Sequence, residues 1–440
     1  MRDAWSPDQV AALAPDAPSL RAAHAVATAA TWVRLGAGDG PPETIWGLAK
    51  GSGSKPYQTC VDLDDPAFLC SCPSRKFPCK HALGLMLLWV AGAVTAAENP
   101  DWVDEWHTSR AGRAAKAEAR RTSAEPQTEA QLKAAAKRAA QRDGRVAAGV
   151  AELGQWLDDQ IRNGMAGLDR VGYQHWDTPA ARLIDAQAPG LARRVTALAG
   201  VASSRDGWDQ RLLAEMGALR LLTRAYARLA DLPAPLAETV RSHVGFTVPV
   251  EQVLTATPVR DVWQVVGVRD EVDERLTTRR SWLIGRQTGR AALVLAFAVG
   301  GQPLAADLVV GTAIDADLCF YPGALPLRAV VGTRHAGAMR CPAPTPTGTV
   351  KRGLDAHADA LAADPWLEIW PMLIDGVLVP GPTWHLLDRD GDALPIRIRS
   401  GEPWHLLAAA GGNPLTYAVE WSEDRLQLLT AYADDEVIAA

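Results

Sequence analysis

Cysteine is scarce in this sequence: six residues among 440 are too few for the disulfide framework of a small secreted protein. Long apolar runs are also missing, since the most apolar stretch, residues 82–97, falls short of the ~20 residues that a membrane helix needs. The first residues lack the apolar core of a signal peptide. A net charge of −6 argues against a polyanion-binding surface over the whole chain. Together these absences predict a cytoplasmic protein without a membrane partner.

The charge pattern divides the chain into segments. Residues 110–145 carry 10 basic and 4 acidic residues but almost no large apolar ones, which predicts a solvated basic linker, helical in part. The linker separates an N-terminal region at 1–109 from a helical domain at 146–247 and a β-rich α+β domain at 248–440. The predicted fold class is therefore multi-domain α+β. Arginine and alanine are abundant throughout, a bias typical of high-GC bacterial genomes.

Hydrophobic periodicity supports this division. An amphipathic helix is predicted from apolar residues spaced three and four apart, namely Trp208, Leu212, Met216, Leu219, Leu222, Tyr226 and Leu229. After residue 248 the pattern changes to short β-prone runs separated by glycine-rich turns, at residues 262–268, 292–299, 367–379, 395–399 and 415–421. The tetrapeptide Trp-His-Leu-Leu occurs twice, and we interpret its histidines, His385 and His405, as packing residues rather than as metal ligands or an acid–base pair.

The strongest chemical signal is a cluster of three cysteines and one histidine with the spacing C-x-C-x6-C-x-H, formed by Cys70, Cys72, Cys79 and His81. Three thiolates and one imidazole complete a tetrahedral structural zinc site and leave no position for a substrate. Strand-like runs at 45–50 and 57–63 flank a Gly-Ser turn and predict a β-hairpin, whereas residues 81–90 predict a helix. The pattern therefore predicts one structural zinc ion that joins a strand end to a helix start.

This arrangement resembles the SWIM zinc finger, whose pattern C-x-C-xn-C-x-H lies on a ββα unit. The resemblance covers residues 45–93, and all four motif positions match. It implies a protein that binds DNA or other proteins and does not catalyse a reaction. It also implies a protein partner of the MoxR-type AAA+ ATPase class or the von Willebrand factor A class, because some bacterial SWIM proteins are associated with these.

Arg75, Lys76 and Lys80 lie inside the zinc loop, beside a predicted helix N-terminus whose free N–H groups favour anions. One interpretation is a patch that contacts a partner or the phosphates of a nucleic acid. The other is that these cations solvate the loop and balance the thiolate charge.

Motifs of common catalytic sites are missing from the sequence, which has no H-E-x-x-H, G-x-S-x-G, Walker A or Rossmann fingerprint. The sequence therefore favours a non-catalytic SWIM-finger adaptor or scaffold. DNA binding through the finger and the basic linker is the alternative. An unrecognised enzyme in the C-terminal half is a third, less favoured hypothesis.

Overall fold

The computed structural model describes residues 5, 7–14, 17–38, 40, 43–51, 53, 55–64, 67–74, 78–122, 129–204, 207–273, 276–299, 304, 307–341, 343–345, 347–398, 401–422, 425–433 and 436–439. In these ranges, no helix combines the length and the apolar character needed to cross a membrane.

The N-terminal region is an antiparallel sheet packed against short helices. Its elements are α1 (Pro7–Ala12), α2 (Ala17–Val26), β1 (Trp32–Ala37), β2 (Thr44–Ala49), β3 (Tyr57–Asp62), β4 (Ala67–Cys70) and α3 (Lys80–Val90). The strands pair in the order β1-β2-β3-β4. The apolar side of α3 supplies much of the core, where Leu83 and Met86 pack with Ile45 and Val61 from the sheet. Burial of this face against the sheet fixes where the helix begins relative to the end of β4.

Two long helices contain the described residues of the predicted basic linker. These are α4 (Asp101–Thr122) and α5 (Glu129–Asn163). The first turns of α4 pack on the N-terminal sheet, where Val103 is buried with Trp46 and Cys60. The sequence places domain boundaries at 109/110 and 145/146; α4 runs through the first and α5 through the second. The boundaries themselves stay predictions.

The central region is a bundle of helices that begins in the second half of α5. It continues with α6 (Gln174–Asp185), α7 (Pro189–Ala202), α8 (Trp208–Ala227) and α9 (Ala234–Val244). The predicted stripe on α8 faces the core, since Leu212, Met216, Leu219 and Leu222 are buried. Trp366, from the C-terminal half, completes this core and donates its indole N–H to the Ala218 carbonyl at 2.9 Å.

The first part of the C-terminal half closes into a barrel. After α10 (Val250–Val253) come β5 (Val259–Asp273), β6 (Leu276–Gly285), β7 (Ala291–Val299), β8 (Thr312–Phe320), β9 (Arg328–Arg334) and β10 (Met339–Arg340). β5 pairs with both β6 and β8, and β6 pairs with β7. β9 closes the ring, because Ala329 pairs with Val294 on parallel β7 and with Phe320 on antiparallel β8.

A second sheet follows the barrel. Its elements are α11 (Val350–Ala363), β11 (Trp370–Val379), β12 (His385–Asp388), β13 (Ala393–Pro395), α12 (Trp404–Ala410), β14 (Leu415–Ser422), β15 (Arg425–Ala433) and β16 (Glu436–Ala439). The strand order is β13-β12-β11-β14-β15-β16. A Cβ atom on Gly267 of β5 would lie 2.6 Å from Leu429 Cδ1 of β15, so only glycine allows the barrel and this sheet to approach so closely.

An ionic cluster is buried at the same junction. Glu420 on β14, 1% exposed, accepts hydrogen bonds from the Trp282 indole at 2.7 Å, from Arg269 at 2.9 Å and from Arg280 at 3.2 Å. A buried carboxylate needs hydrogen-bond donors and opposite charges around it, because an unpaired charge in a protein interior lowers the stability of the fold. The cluster therefore ties β14 to β5 and β6.

The predicted fold class is confirmed: strands and a helix form the N-terminal region, helices the centre, and sheets the C-terminal half. The two Trp-His-Leu-Leu copies adopt different structures, since the first enters β12 and the second begins α12. Their tryptophans, Trp384 and Trp404, pack edge to face with ring centroids 4.8 Å apart.

Candidate metal centre

The cysteine and histidine side chains converge where β4 ends and α3 begins. Cys70 is the last residue of β4 and pairs with Thr59 on β3. Cys79 is the N-cap of α3, with an extended backbone, and His81 follows in the first helical turn. The loop after β4 carries Cys72 back towards them. Pairing with Thr59 positions Cys70 at the end of β4, and the start of α3 at Lys80 positions Cys79 and His81. The ligands from the strand and from the helix therefore lie close together.

The spacing of the four side chains fits one metal ion. One ligand atom from each of Cys70, Cys72, Cys79 and His81 lies within 4.8 Å of all the others. The distance from Cys70 Sγ to His81 Nδ1 is 3.8 Å. Zinc bonds of about 2.3 Å to sulfur and 2.0 Å to nitrogen put tetrahedral ligand atoms roughly 3.5–3.8 Å apart. The residues are therefore positioned to bind one zinc ion, and soft thiolates with an imidazole are the donors that zinc prefers in structural sites.

Neighbouring side chains hold the ligands in place. Thr59 Oγ1 lies 3.1 Å from Cys70 Sγ, and the Tyr57 ring packs on the His81 ring with centroids 5.3 Å apart. Ser71 Oγ accepts the Gln58 N–H at 2.9 Å, which extends the contact between the loop and β3. Such outer contacts orient metal ligands before the ion binds. Sequence spacing alone does not reveal them, since they depend on the register of β3 with β4.

Protons compete with metal at this cluster. Burial lowers the pKa of His81, but hydrogen bonds and charge from Cys70 and Cys72 outweigh burial and raise it to about 9. Hydrogen bonding to Cys70 and Cys79 lowers the pKa of Cys72, whereas contacts with Cys70 and Cys72, together with burial, raise the pKa of Cys79. Metal ligands must be deprotonated, so zinc binding here releases protons.

A bound zinc ion would have a structural role at this site. It would supply the link between the end of β4 and the first turn of α3, and four protein ligands leave no open coordination position. Cys79 is 2% and His81 5% exposed, so the helical ligands are shielded from solvent. The chain's own residues would supply all four ligands, from β4, the loop after it and the start of α3.

The remaining cysteines lie outside the cluster. Cys60 is fully buried on β3, and burial, with a smaller effect from the Asp62 charge, raises the pKa of its thiol. Cys319 is on β8, and Cys341 Sγ lies 3.2 Å from Gln264 Oε1. Burial raises the pKa of both thiols, which keeps them protonated and unreactive.

The predicted contact residues are only partly described. Arg75 and Lys76 lie outside the described residues. Lys80 is exposed in the first turn of α3. It lines a groove of about 530 Å³ between α2 and the zinc loop, together with Ala22, Tyr57 and Pro73. Their role as contact residues stays a prediction.

Contacts between α4 and the finger were not predicted. Arg110, which opens the predicted linker, pairs with the buried Asp62 carboxylate at 2.5 Å. His107 Nε2 lies 2.9 Å from Thr44 Oγ1, and burial lowers the pKa of His107, which favours its neutral form. The sequence signal for these contacts is the spacing of His107 and Arg110, which are three positions apart and therefore lie on the same face of α4.

Comparisons with known proteins identify two segments. A family model of the SWIM zinc finger matches residues 60–89, which include all four candidate zinc ligands. A family model of the SWIM-associated four-helix bundle domain matches residues 141–244, which begin within α5 and end with α9. No curated protein and no solved structure matches the chain.

Proposed function

We propose that this chain, a protein with a SWIM zinc finger and a SWIM-associated four-helix bundle domain, is a non-catalytic adaptor that docks a protein partner at its finger. The observation that carries the proposal is the groove beside the closed ligand set. A zinc ion with four protein ligands has no open coordination position for a substrate, so its role in the finger is to stabilise the structure of the surface around it.

The groove has the character of a peptide-docking site. Its lining includes the small or apolar side chains of Ala22, Tyr57 and Pro73 and two exposed lysines, Lys50 and Lys80. Two of the candidate zinc ligands, Cys72 and His81, also line it. Aromatic and apolar side chains supply most of the affinity at protein interfaces, while charges at the margin guide orientation. A partner segment with an apolar anchor and an acidic residue facing Lys80 matches this surface.

Among the described residues, two of the ten linker cations are paired with carboxylates. Arg110 is neutralised by Asp62, and Lys133 pairs with Glu129 at 2.6 Å. Arg110 is therefore less available to phosphates, because its partner Asp62 is buried, whereas the Lys133–Glu129 pair is exposed to solvent. The net charge of −6 opposes non-specific DNA binding by the whole chain.

DNA binding through the finger and the linker is the second candidate. It is favoured by Lys80, which stands beside the N-terminus of α3, where helix N–H groups attract anions. Lys137 and Arg138, exposed on α5, add positive charge. Partners of the MoxR-type AAA+ ATPase and von Willebrand factor A classes are the first protein candidates, on the basis of the family resemblance.

Site-specific photo-crosslinking tests the adaptor proposal. A photoreactive residue in place of Ala22 should form a protein adduct in cells that survives nuclease treatment. The same residue in place of Arg224, exposed on α8, is the matched control and should not form that adduct. The captured protein, once purified, should bind the wild-type chain and bind Lys80→Glu at least roughly tenfold more weakly.

The alternative function, DNA binding through the finger and the linker, makes a different prediction. Micromolar or tighter binding to duplex DNA at about 150 mM salt, lost in Lys80→Ala while zinc is retained, would show that the finger is a DNA-binding module. Absence of any nuclease-resistant adduct at position 22 would also refute the adaptor.

A further inference from the structure

The barrel of β5 to β9 has the connectivity of an OB-type barrel. Going around the ring, the strands follow the order β5-β6-β7-β9-β8 and return to β5, with β7 and β9 parallel. Barrels of this type bind oligonucleotides or oligosaccharides with one strand face and with the loops beside it, among them the loop between the last two strands. In this chain that loop is residues 321–327.

The loop lines a cleft between the barrel and the helical bundle. The cleft has a volume of about 720 Å³ and includes Tyr321 and Pro322 from the loop. Its arginines come from α5, α9 and the start of β9, namely Arg138, Arg142, Arg145, Arg241 and Arg328. On another side of the barrel, Gly267 of β5 packs on Leu429 of the second sheet.

Aromatic rings hold several of these arginines in place. The Arg241 and Arg142 guanidinium carbons lie 4.0 and 4.5 Å from the centre of the Phe246 ring. Arg328 lies 4.2 Å from the centre of the Tyr321 ring. Stacking fixes the plane of a guanidinium and leaves N–H groups at its edge for an anion. The stacked guanidinium groups are therefore held in place at the wall of the cleft, where Arg142 also donates to the Gly245 carbonyl at 3.2 Å.

The charge balance in the cleft is positive. Two acidic residues, Asp143 and Glu238, also line it, and Asp143 approaches Arg241 at 3.5 Å. Five arginines against two carboxylates leave a net charge of +3. In the part of the chain that the structure describes, Arg138 and Arg328 form no ion pair with a carboxylate. Both side chains are exposed, so their charge can reach a ligand.

We propose that this cleft binds single-stranded nucleic acid, with its arginines on the phosphates. A positively charged groove that follows the phosphate backbone is a regular part of proteins that bind single strands without sequence preference, and in this cleft the aromatic rings hold the arginines. The proposal goes beyond the adaptor function, because it assigns a ligand to the bundle and barrel and not to the finger. It also explains why cations from the predicted linker, Arg138 and Arg142, line a cleft.

Fluorescence anisotropy with a labelled 15-nucleotide oligo-dT tests the proposal on the full zinc-loaded chain. Neutralising about three phosphates should give log K a slope of roughly −2 against log salt, since a single strand contributes about 0.7 per contact. The affinity should then fall roughly fifteenfold between 50 and 200 mM salt. The double variant Arg138→Gln/Arg328→Gln should weaken binding at 50 mM salt at least roughly tenfold and flatten the slope by about 1.4.

Two controls identify the site. Arg170→Gln/Arg224→Gln removes the same charge from exposed positions outside the cleft and should bind like the wild type. Lys80→Ala, at the finger, should also bind normally. Thermal unfolding of each variant shows that the fold is retained.

Three results would overturn the proposal. One is the absence of oligonucleotide binding at 50 mM salt, and another is an equal loss in the control double variant. The third is that tripolyphosphate displaces the labelled oligonucleotide at the same concentration at which unlabelled oligo-dT displaces it. That result would show a site for small phosphorylated ligands.

Discussion

Substitution of one zinc ligand should unfold the finger and spare the bundle. In Cys72→Ser the cluster loses a thiolate, and structural zinc in small fingers contributes on the order of 10 kcal/mol of apparent binding energy. That is comparable to the whole stability of a typical domain, about 5–15 kcal/mol. In the variant the apolar core of the finger, which includes Ile45, Val61, Leu83 and Met86, must hold α3 on the sheet without the metal.

Hydrogen exchange measured by mass spectrometry locates the effect. Amides of α3 and β3 should exchange at least about a thousandfold faster in Cys72→Ser, which corresponds to a loss of about 4 kcal/mol of opening free energy. Amides of α7 and α8 should keep their protection. A partial effect is expected in β16, because it packs against α1 of the N-terminal region.

A matched substitution serves as the control. Cys341→Ser changes a thiol outside the cluster, and a serine hydroxyl can keep the contact to Gln264. It should leave exchange in α3 unchanged. Equal loss of protection in the finger and the bundle of Cys72→Ser would refute the reasoning, since it would show that the two regions unfold as one unit.

Three further outcomes are expected. Glu420→Gln leaves Arg269 and Arg280 without their buried carboxylate, and should lower the free energy of unfolding by roughly 3–5 kcal/mol in urea denaturation. Trp366→Ala removes a side chain from the bundle core, and should cost roughly 3–5 kcal/mol in the same assay. Because His81 has a pKa of about 9 without metal, zinc affinity should rise with pH, at least roughly hundredfold from pH 6 to 8 by competition titration.

Local patterns explain what the sequence could predict. The zinc ligands lie within twelve positions, so their spacing identifies the site before any tertiary contact is known. The stripe on α8 is likewise a property of one helix, and its period is sufficient to mark the buried face. Both features depend on neighbours close in the chain.

Long-range contacts explain what the sequence could not predict. Trp366 enters the bundle by a hydrogen bond to a residue 148 positions away, and Trp282 meets Glu420 across 138 positions. The hydrophobic periodicity of the sequence does not indicate contacts between residues so far apart in the chain. The repeated Trp-His-Leu-Leu shows the same limit: Pro403 caps the helix of the second copy, while pairing of β12 with β11 extends the first.

The linker prediction needed the tertiary structure for the same reason. A stretch rich in alanine, lysine and arginine has no apolar core, and the sequence therefore indicates solvated helix. The structure adds that Arg110 contacts Asp62, and that Arg138 and Arg142 line the cleft beside the barrel. These roles depend on surfaces that come from distant segments.

The zinc content of the purified, fully reduced 440-residue chain tests the central claim most directly. Four ligand atoms within 4.8 Å of one another predict one zinc ion per chain, retained through gel filtration and lost in Cys72→Ser. Substantially less than one zinc per chain, with Cys70, Cys72 and Cys79 shown to be reduced, would contradict the account.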